Sequence, residues 1–377
     1  MGLFYLNQGE LAKAESTFRK GLGKLEKILG RDHSDTIDAI NNLALALYRQ
    51  GKNEEALGLY QEALDKRLHL FGENHPRTIS SIIGCGNAAG ALGRSQESRL
   101  FLKRALGISR KVYGDGAADT LGTMMNLANN LRDSGEFTEA TGLYRESVQG
   151  FEELLGKMHP ETLSCASNYA ICLNMSGDLG NAEKIFKSVL SARKKIFGPQ
   201  HWSVYKSINN LAALLEGKGK LRQAEILYRE SLEGRVKVLG PDHPESIQSA
   251  NNLGNLMEKM GDPAGMEKVF ADYLRKVDRV LPMDAPLSLQ LVNYLAILKN
   301  KHGKRKQALA LLKKRAVVSS TALDALRYNI ACYGCLEGNL KEAGKLIRQH
   351  LKKHPEQKEQ ALADKDLAAI HGEIAKH

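Results

Sequence analysis

Glycine returns on a fixed step: Gly9, Gly51, Gly93, Gly135, Gly177, Gly219, Gly261 and Gly303 are each 42 residues apart. With 35 glycines in 377 residues, seven successive coincidences have a chance probability on the order of 10⁻⁷. Other residues keep the same step. Five positions after each glycine stand Ala14, Ala56, Ser98, Ala140, Ala182, Ala224, Met266 and Ala308. Nine positions after it stand Phe18, Tyr60, Leu102, Tyr144, Phe186, Tyr228, Phe270 and Leu312. Eight positions before it stand Leu43, Cys85, Leu127, Tyr169, Leu211, Leu253 and Leu295. A further unit, with Ile330, Gly338 and Ala343, follows at a shorter step of 35.

These slots have a physical meaning. Leu43, Ala44 and Leu47 share one face of a helix, and Ala56, Tyr60 and Ala63 share one face of a second. Gly51 lies between them, where a tight turn needs a residue tolerant of positive φ. Small Ala44 and Ala56 let the two helices approach, and Tyr60 fills the gap to the next pair. Each unit is then a helical hairpin that cannot bury its apolar stripe alone, and stacking hairpins into an α-solenoid buries it. The period divides the chain into units of about 1–30, 31–72, 73–114, 115–156, 157–198, 199–240, 241–282 and 283–320, a shorter unit 321–353, and a capping helix or tail over 354–377. Leu362, Leu367, Ile370 and Ile374 have helical spacing within that tail.

The junctions repeat as well: Leu29-Gly30-Arg31-Asp32-His33, Phe71-Gly72-Glu73-Asn74-His75-Pro76, Leu155-Gly156-Lys157-Met158-His159-Pro160, Phe197-Gly198-Pro199-Gln200-His201 and Leu239-Gly240-Pro241-Asp242-His243-Pro244. Glycine closes the longer second helix, and proline opens the next helix, where its missing N–H costs little. Trp202 takes the proline slot after His201 and is expected to pack the junction. Three departures stand out. Gly84 and Gly86 make the third unit look looser. Pro263 and Met266 sit where the second helix of the seventh unit begins. Pro282 and Pro286 replace the His-Pro junction of the eighth and predict a kink in the superhelix.

Helical hairpins with Leu-Ala, Gly, Ala and Tyr at these offsets resemble tetratricopeptide repeats. The 42-residue step, the Leu-Gly-x-x-His-Pro-x-Thr junction (Leu155 to Thr162) and the Asn41-Asn42-Leu43-Ala44 run are similar to the repeats of kinesin light chains. The resemblance covers roughly residues 1–353. It implies an all-α, right-handed superhelical α-solenoid of about nine hairpins, the first truncated, with a concave wall built from the first helix of each pair. In that family the wall binds extended peptides, which implies a non-catalytic interaction scaffold or adaptor. The five scattered cysteines form no secreted disulfide framework, so the cytoplasm is the expected compartment. A kinesin light chain-type cargo adaptor, or the sensor or binding region of a larger signalling NTPase or enzyme, are alternatives. No heptad coiled coil precedes the repeats. Met1 stands halfway along a first helix, so a fragment boundary or a start inside a longer product is expected, and self-association through the truncated repeat follows as an expectation.

Asparagine is a poor residue for a helix interior, yet it forms columns on the expected wall. Asn42, Asn126, Asn168, Asn210, Asn252 and Asn329 precede the Leu slot; Asn41, Asn209, Asn251 and Asn293 stand one position earlier; Asn87, Asn129 and Asn255 lie one turn on. Each carboxamide offers two donors and an acceptor. The column suits the main chain of a bound peptide; it equally suits structural hydrogen bonds to a neighbouring repeat. Arg49, Arg132, Lys206 and Lys259 share the wall with Asp38, Asp133, Glu216 and Glu258, so an acidic ligand is possible without being required.

Other features carry less. The net charge of +11 selects no partner class by itself. The block from Lys299 to Arg315 holds eight basic residues and no acid, but no aromatics interleave to stack bases. A solvated helix face is the reading, and a nucleic-acid partner is not expected. His33, His75, His159, His201 and His243 fall at equivalent junctions too far apart to share a metal ion, and a capping role is expected of them. Cys332 and Cys335 lie inside a helical unit and read as core. No apolar stretch approaches the roughly 20 residues that span a bilayer. Phosphate loops, nucleophile elbows and paired metal-ligand motifs are missing, so no cofactor, metal or catalytic residue is expected.

Overall fold

The computed structural model describes residues 1–7 and 10–375, and among them every regular element is helical. Two compact units divide at residues 196 and 197. The first holds α1 (Gly2–Asn7), α2 (Leu11–Leu29), α3 (Ser34–Arg49), α4 (Asn53–Phe71), α5 (Pro76–Ala91), α6 (Ser95–Tyr113), α7 (Ala118–Asp133), α8 (Phe137–Leu155), α9 (Pro160–Met175) and all but the last residue of α10 (Leu179–Phe197). The second holds α11 (Trp202–Gly217), α12 (Leu221–Leu239), α13 (Pro244–Lys259), α14 (Pro263–Val277), α15 (Pro286–Lys301), α16 (Arg305–Ala316), α17 (Ser320–Leu336) and α18 (Leu340–Lys353). Short turns of helix follow: a 3-10 turn at Pro355–Gln357, α19 (Lys358–Ala363), a 3-10 helix at Lys365–Ile370, and α20 (His371–Ala375).

First helices such as α3, α5 and α7 are 16 residues long, and second helices such as α4, α6 and α8 are 19. Glycine sets both lengths. Gly51 after α3 has φ of 78° and Gly72 after α4 has φ of 79°, conformations that L side chains rarely adopt. Gly9, the first of the series, lies outside the described residues. The alanine slot is fully buried at Ala14, Ala56, Ala140, Ala182, Ala224 and Ala308, and Tyr60, Tyr144 and Tyr228 are buried beside it. In the first unit the core runs continuously through Ile37, Leu43, Leu47, Tyr60 and Ile82 and again through Leu121, Leu127, Tyr144 and Phe151.

The junction histidines are N-caps. The Nδ1 atoms of His33, His75, His159 and His243 accept from the backbone N–H of Asp35, Arg77, Glu161 and Glu245 at 3.2–3.3 Å. His201 does the same for Ser203 at 3.3 Å. Imidazole here replaces the usual Ser, Thr or Asp cap in satisfying an orphan helix donor. Trp202 is 40% exposed beside the His201 ring, so it covers the junction from outside and is not buried in it.

Two expectations need correction, and one proline junction is built differently from the others. The Gly-rich α5 is tightly packed: a Cβ on Gly84 would come within 2.5 Å of the Tyr60 ring, and one on Gly86 within 2.8 Å of Leu102. Glycine here admits the neighbours and does not loosen the unit. Pro286 opens α15 as Pro244 opens α13, at a first-turn position that a helix tolerates. Pro282 occupies the slot of Gly240. Proline cannot take positive φ, so α14 stops early at Val277 and a turn closed by the Leu281 N–H on the Val277 carbonyl (2.9 Å) replaces the glycine cap. The tail is no single capping helix. Asp364 accepts from the Asp366 N–H at 2.9 Å and restarts the chain as a 3-10 helix, with Leu367, Ile370 and Ile374 buried and Leu362 half-buried. Lys376, at its end, lies outside the described residues.

Candidate functional site

The asparagines of the column separate into two sets, decided by whether a neighbouring helix brings a hydrogen-bonding group within reach. Asn41 belongs to the first set. Its Oδ1 accepts from Arg67 Nη1 (3.1 Å) and from Ser81 Oγ (3.0 Å). Arg67 is 4% exposed and also donates to the Arg77 carbonyl (2.6 Å), to Ser81 Oγ (2.7 Å) and to Asp38 (2.7 Å). Burial pulls the Arg67 guanidinium below its ordinary pKa, against the opposing pull of Asp38. This arginine, on α4, pins α3 to α5.

The other paired amides follow. Asn129 accepts from the Tyr144 hydroxyl and from Arg132 Nη1 at 3.2 Å. In the second unit Asn252 donates to Asn209 at 3.2 Å, and Asn329 donates to Asn293 at 3.0 Å. Asn293 also reaches the Ala325 carbonyl at 3.4 Å.

The second set has no side-chain hydrogen bond within the protein among the described residues: Asn42, Asn87, Asn126, Asn168, Asn210, Asn251 and Asn255. The first five are half-buried; Asn251 and Asn255 are exposed. Arg49 and Lys206 are exposed and make no ion pair. On α3, Asp38, Asn42 and Arg49 fall at helical spacing along one side.

Two clefts in the first unit gather parts of the column. One, of about 340 Å³, lies between α3 and α5 and is bounded by Asp38, Asn41, Asn42, Arg67, Arg77 and Ser80. The other, of about 250 Å³, brings Asn87, Asn126 and Asn129 together with Tyr48, Asn130 and Asp133. Asn130 was not expected there. It is 8% exposed, its Nδ2 donates to the Ser95 carbonyl at 3.3 Å, and its Oδ1 has no partner. The doubled Asn129-Asn130 was the available sign.

The buried arginines were also missed, although their sign is plain in the register. Arg67, Arg193 and Arg235 keep the 42-residue step, and fourteen residues after each stands Ser81, Ser207 or Ser249. Where the arginine is replaced by Phe151 or Val277, the serine becomes Cys165 or Leu291. Arg235 donates to the Glu245 carbonyl (2.8 Å) and to Ser249 (2.9 Å), repeating the Arg67 geometry. Arg315 donates to Asp278, Ser288 and the Met283 carbonyl.

The basic block is largely neutralised in place. Lys299 and Lys304 meet Glu267, Lys301 meets Glu258 (3.0 Å), Lys313 meets Glu342 (2.8 Å), and Arg315 is buried on Asp278. Cys332 and Cys335 are buried in α17. Burial pushes the Cys85 and Cys165 thiols up to about 12, far from the reactive range. No helix among the described residues is long and apolar enough to cross a membrane.

Stacked helical hairpins, with polar amides displayed along the first helices, define a protein-binding repeat scaffold. The tetratricopeptide repeat profile matches residues 1–68, 35–111, 119–195 and 204–265, and the chain belongs to the tetratricopeptide repeat family. In fold it is similar to BtubC (BKLC) from P. vanneervenii, with a TM-score of 0.51 and 20% identity over 62% of this chain and 94% of that one. It is also similar to the apo form of the quorum sensor NprR from B. thuringiensis, with a TM-score of 0.50 and 15% identity over 93% and 96% of the two chains. No curated protein matches it in sequence.

Proposed function

We propose that this chain is a non-catalytic adaptor that holds a partner peptide or domain against the first-helix face of its repeats. The observation that carries this reading is the unpaired set of amides. A half-buried carboxamide without a partner forgoes hydrogen bonds, and an extended peptide presents main-chain donors and acceptors in want of them. In the first unit Asn42, Asn87, Asn126 and Asn168 are so placed, and in the second Asn210. The unpaired Arg49 and Lys206 favour carboxylates on the ligand, and the site works in the cytoplasm. The exposed Met1, Leu3 and Phe4 support self-association through the first repeat.

The test is a peptide selected from a random library on the full chain. Replacing Asn87, Asn126 and Asn168 of the first unit together by Ala is expected to weaken it by about tenfold or more while the melting temperature stays within a degree or two of the unaltered chain's. Unchanged affinity would sink the reading.

A further inference from the structure

Ion pairs link three of the neighbouring second-helix pairs. Basic residues on one second helix reach acids on the next second helix. Arg19 meets Glu55 (2.6 Å), Lys103 meets Glu139 (3.1 Å), Arg110 meets Glu146 (2.9 Å) and Lys313 meets Glu342 (2.8 Å). Helix α18 ends this series. Of the acids in the segment that follows it, Glu373 pairs with Arg348 on α18. Gly344 makes room for that pair, since a Cβ there would collide with the Glu373 carboxylate. Lys345 and Lys352 have no carboxylate partner among the described residues, and Lys358 reaches only the Ala375 carbonyl at 3.4 Å.

These residues surround a cleft of about 430 Å³ whose apolar part is Leu351 and Pro355. That volume lies in the range of ligand sites. Lys345 and Lys352 are seven positions apart on α18, which puts them on one side of the helix, two turns apart. Three cations without a carboxylate around an apolar floor match a row of carboxylates flanking apolar side chains.

We propose that the outer face of α18 docks an acidic amphipathic helix of a partner protein, with the partner's glutamates meeting Lys345 and Lys352 as Glu342 meets Lys313. Complementary charge gives the contact its specificity and its salt dependence. The site is separate from the amide face and does not depend on the reading given for it.

The probe is a labelled synthetic helix with Glu at every fourth position and Leu between, alongside its Gln counterpart, titrated into the full chain by fluorescence anisotropy. The Glu peptide is expected to bind saturably and the Gln peptide not. The double variant Lys345→Glu, Lys352→Glu should lose at least about tenfold in affinity, and Lys345→Arg, Lys352→Arg should keep it. If the reversal variant fails to fold, Lys345→Gln with Lys352→Gln reads the same loss. Equal binding by unaltered chain and reversal variant, or equal binding of Glu and Gln peptides, would overturn the proposal. So would absence of peptide binding together with lysine-dependent pelleting on phosphatidylserine vesicles.

Discussion

The structural amides of the two units are held differently. In the first unit they lean on second helices: Asn41 on Arg67 of α4, Asn129 on Tyr144 of α8. In the second they lean on each other across successive first helices: Asn209 with Asn252, and Asn293 with Asn329. The same residue at the same slot is thus a buttress for a buried cation in one place and half of an amide pair in the other. The cost of losing it follows from what is left behind. A buried guanidinium stripped of acceptors is expensive; a neutral amide left without its partner costs less.

Mutations that break this contrast order themselves by that cost. Arg67→Ala removes the donor shared by Asp38, Asn41 and Ser81 and empties a buried site, and should destabilise by about 3 kcal/mol in urea unfolding. Arg67→Met, which refills the volume, should cost clearly less. Asn41→Ala leaves Arg67 buried with one acceptor fewer and should cost about 1–2 kcal/mol. Asn252→Ala should cost about 1 kcal/mol, and a double-mutant cycle with Asn209→Ala should show coupling of about 0.5 kcal/mol or more. Coupling indistinguishable from zero would mean the amide pair contributes nothing. At the small end, Asn42→Ala, Asn126→Ala and Asn168→Ala should each stay within about 0.5 kcal/mol, because no protein group depends on them.

The period carried most of the fold. Gly51 and Gly72 set helix length, Ala56 and Tyr60 set packing, and His75 capped α5 as its place in the junction implied. What the period could not carry was the difference between neighbours. Asn41 and Asn42 look alike in the chain, and only the approach of Arg67, 26 residues on, makes one structural and leaves the other open. Pro282 shows a different limit. Its register with Gly240 was readable, but its effect depended on a backbone angle that glycine takes and proline cannot. In the tail, helical spacing of Leu367, Ile370 and Ile374 marked the buried side correctly, while the Asp364 cap broke the helix that spacing implied.

The division of the amide column is the centre of this account, and side-chain amide NMR of the full chain with and without a selected peptide tests it directly. The resonances of Asn42, Asn87, Asn126 and Asn168 in the first unit should move on binding, while those of Asn41, Asn129, Asn209 and Asn252 stay in place. Movement confined to the paired set, or no movement of either set at saturating peptide, would contradict it.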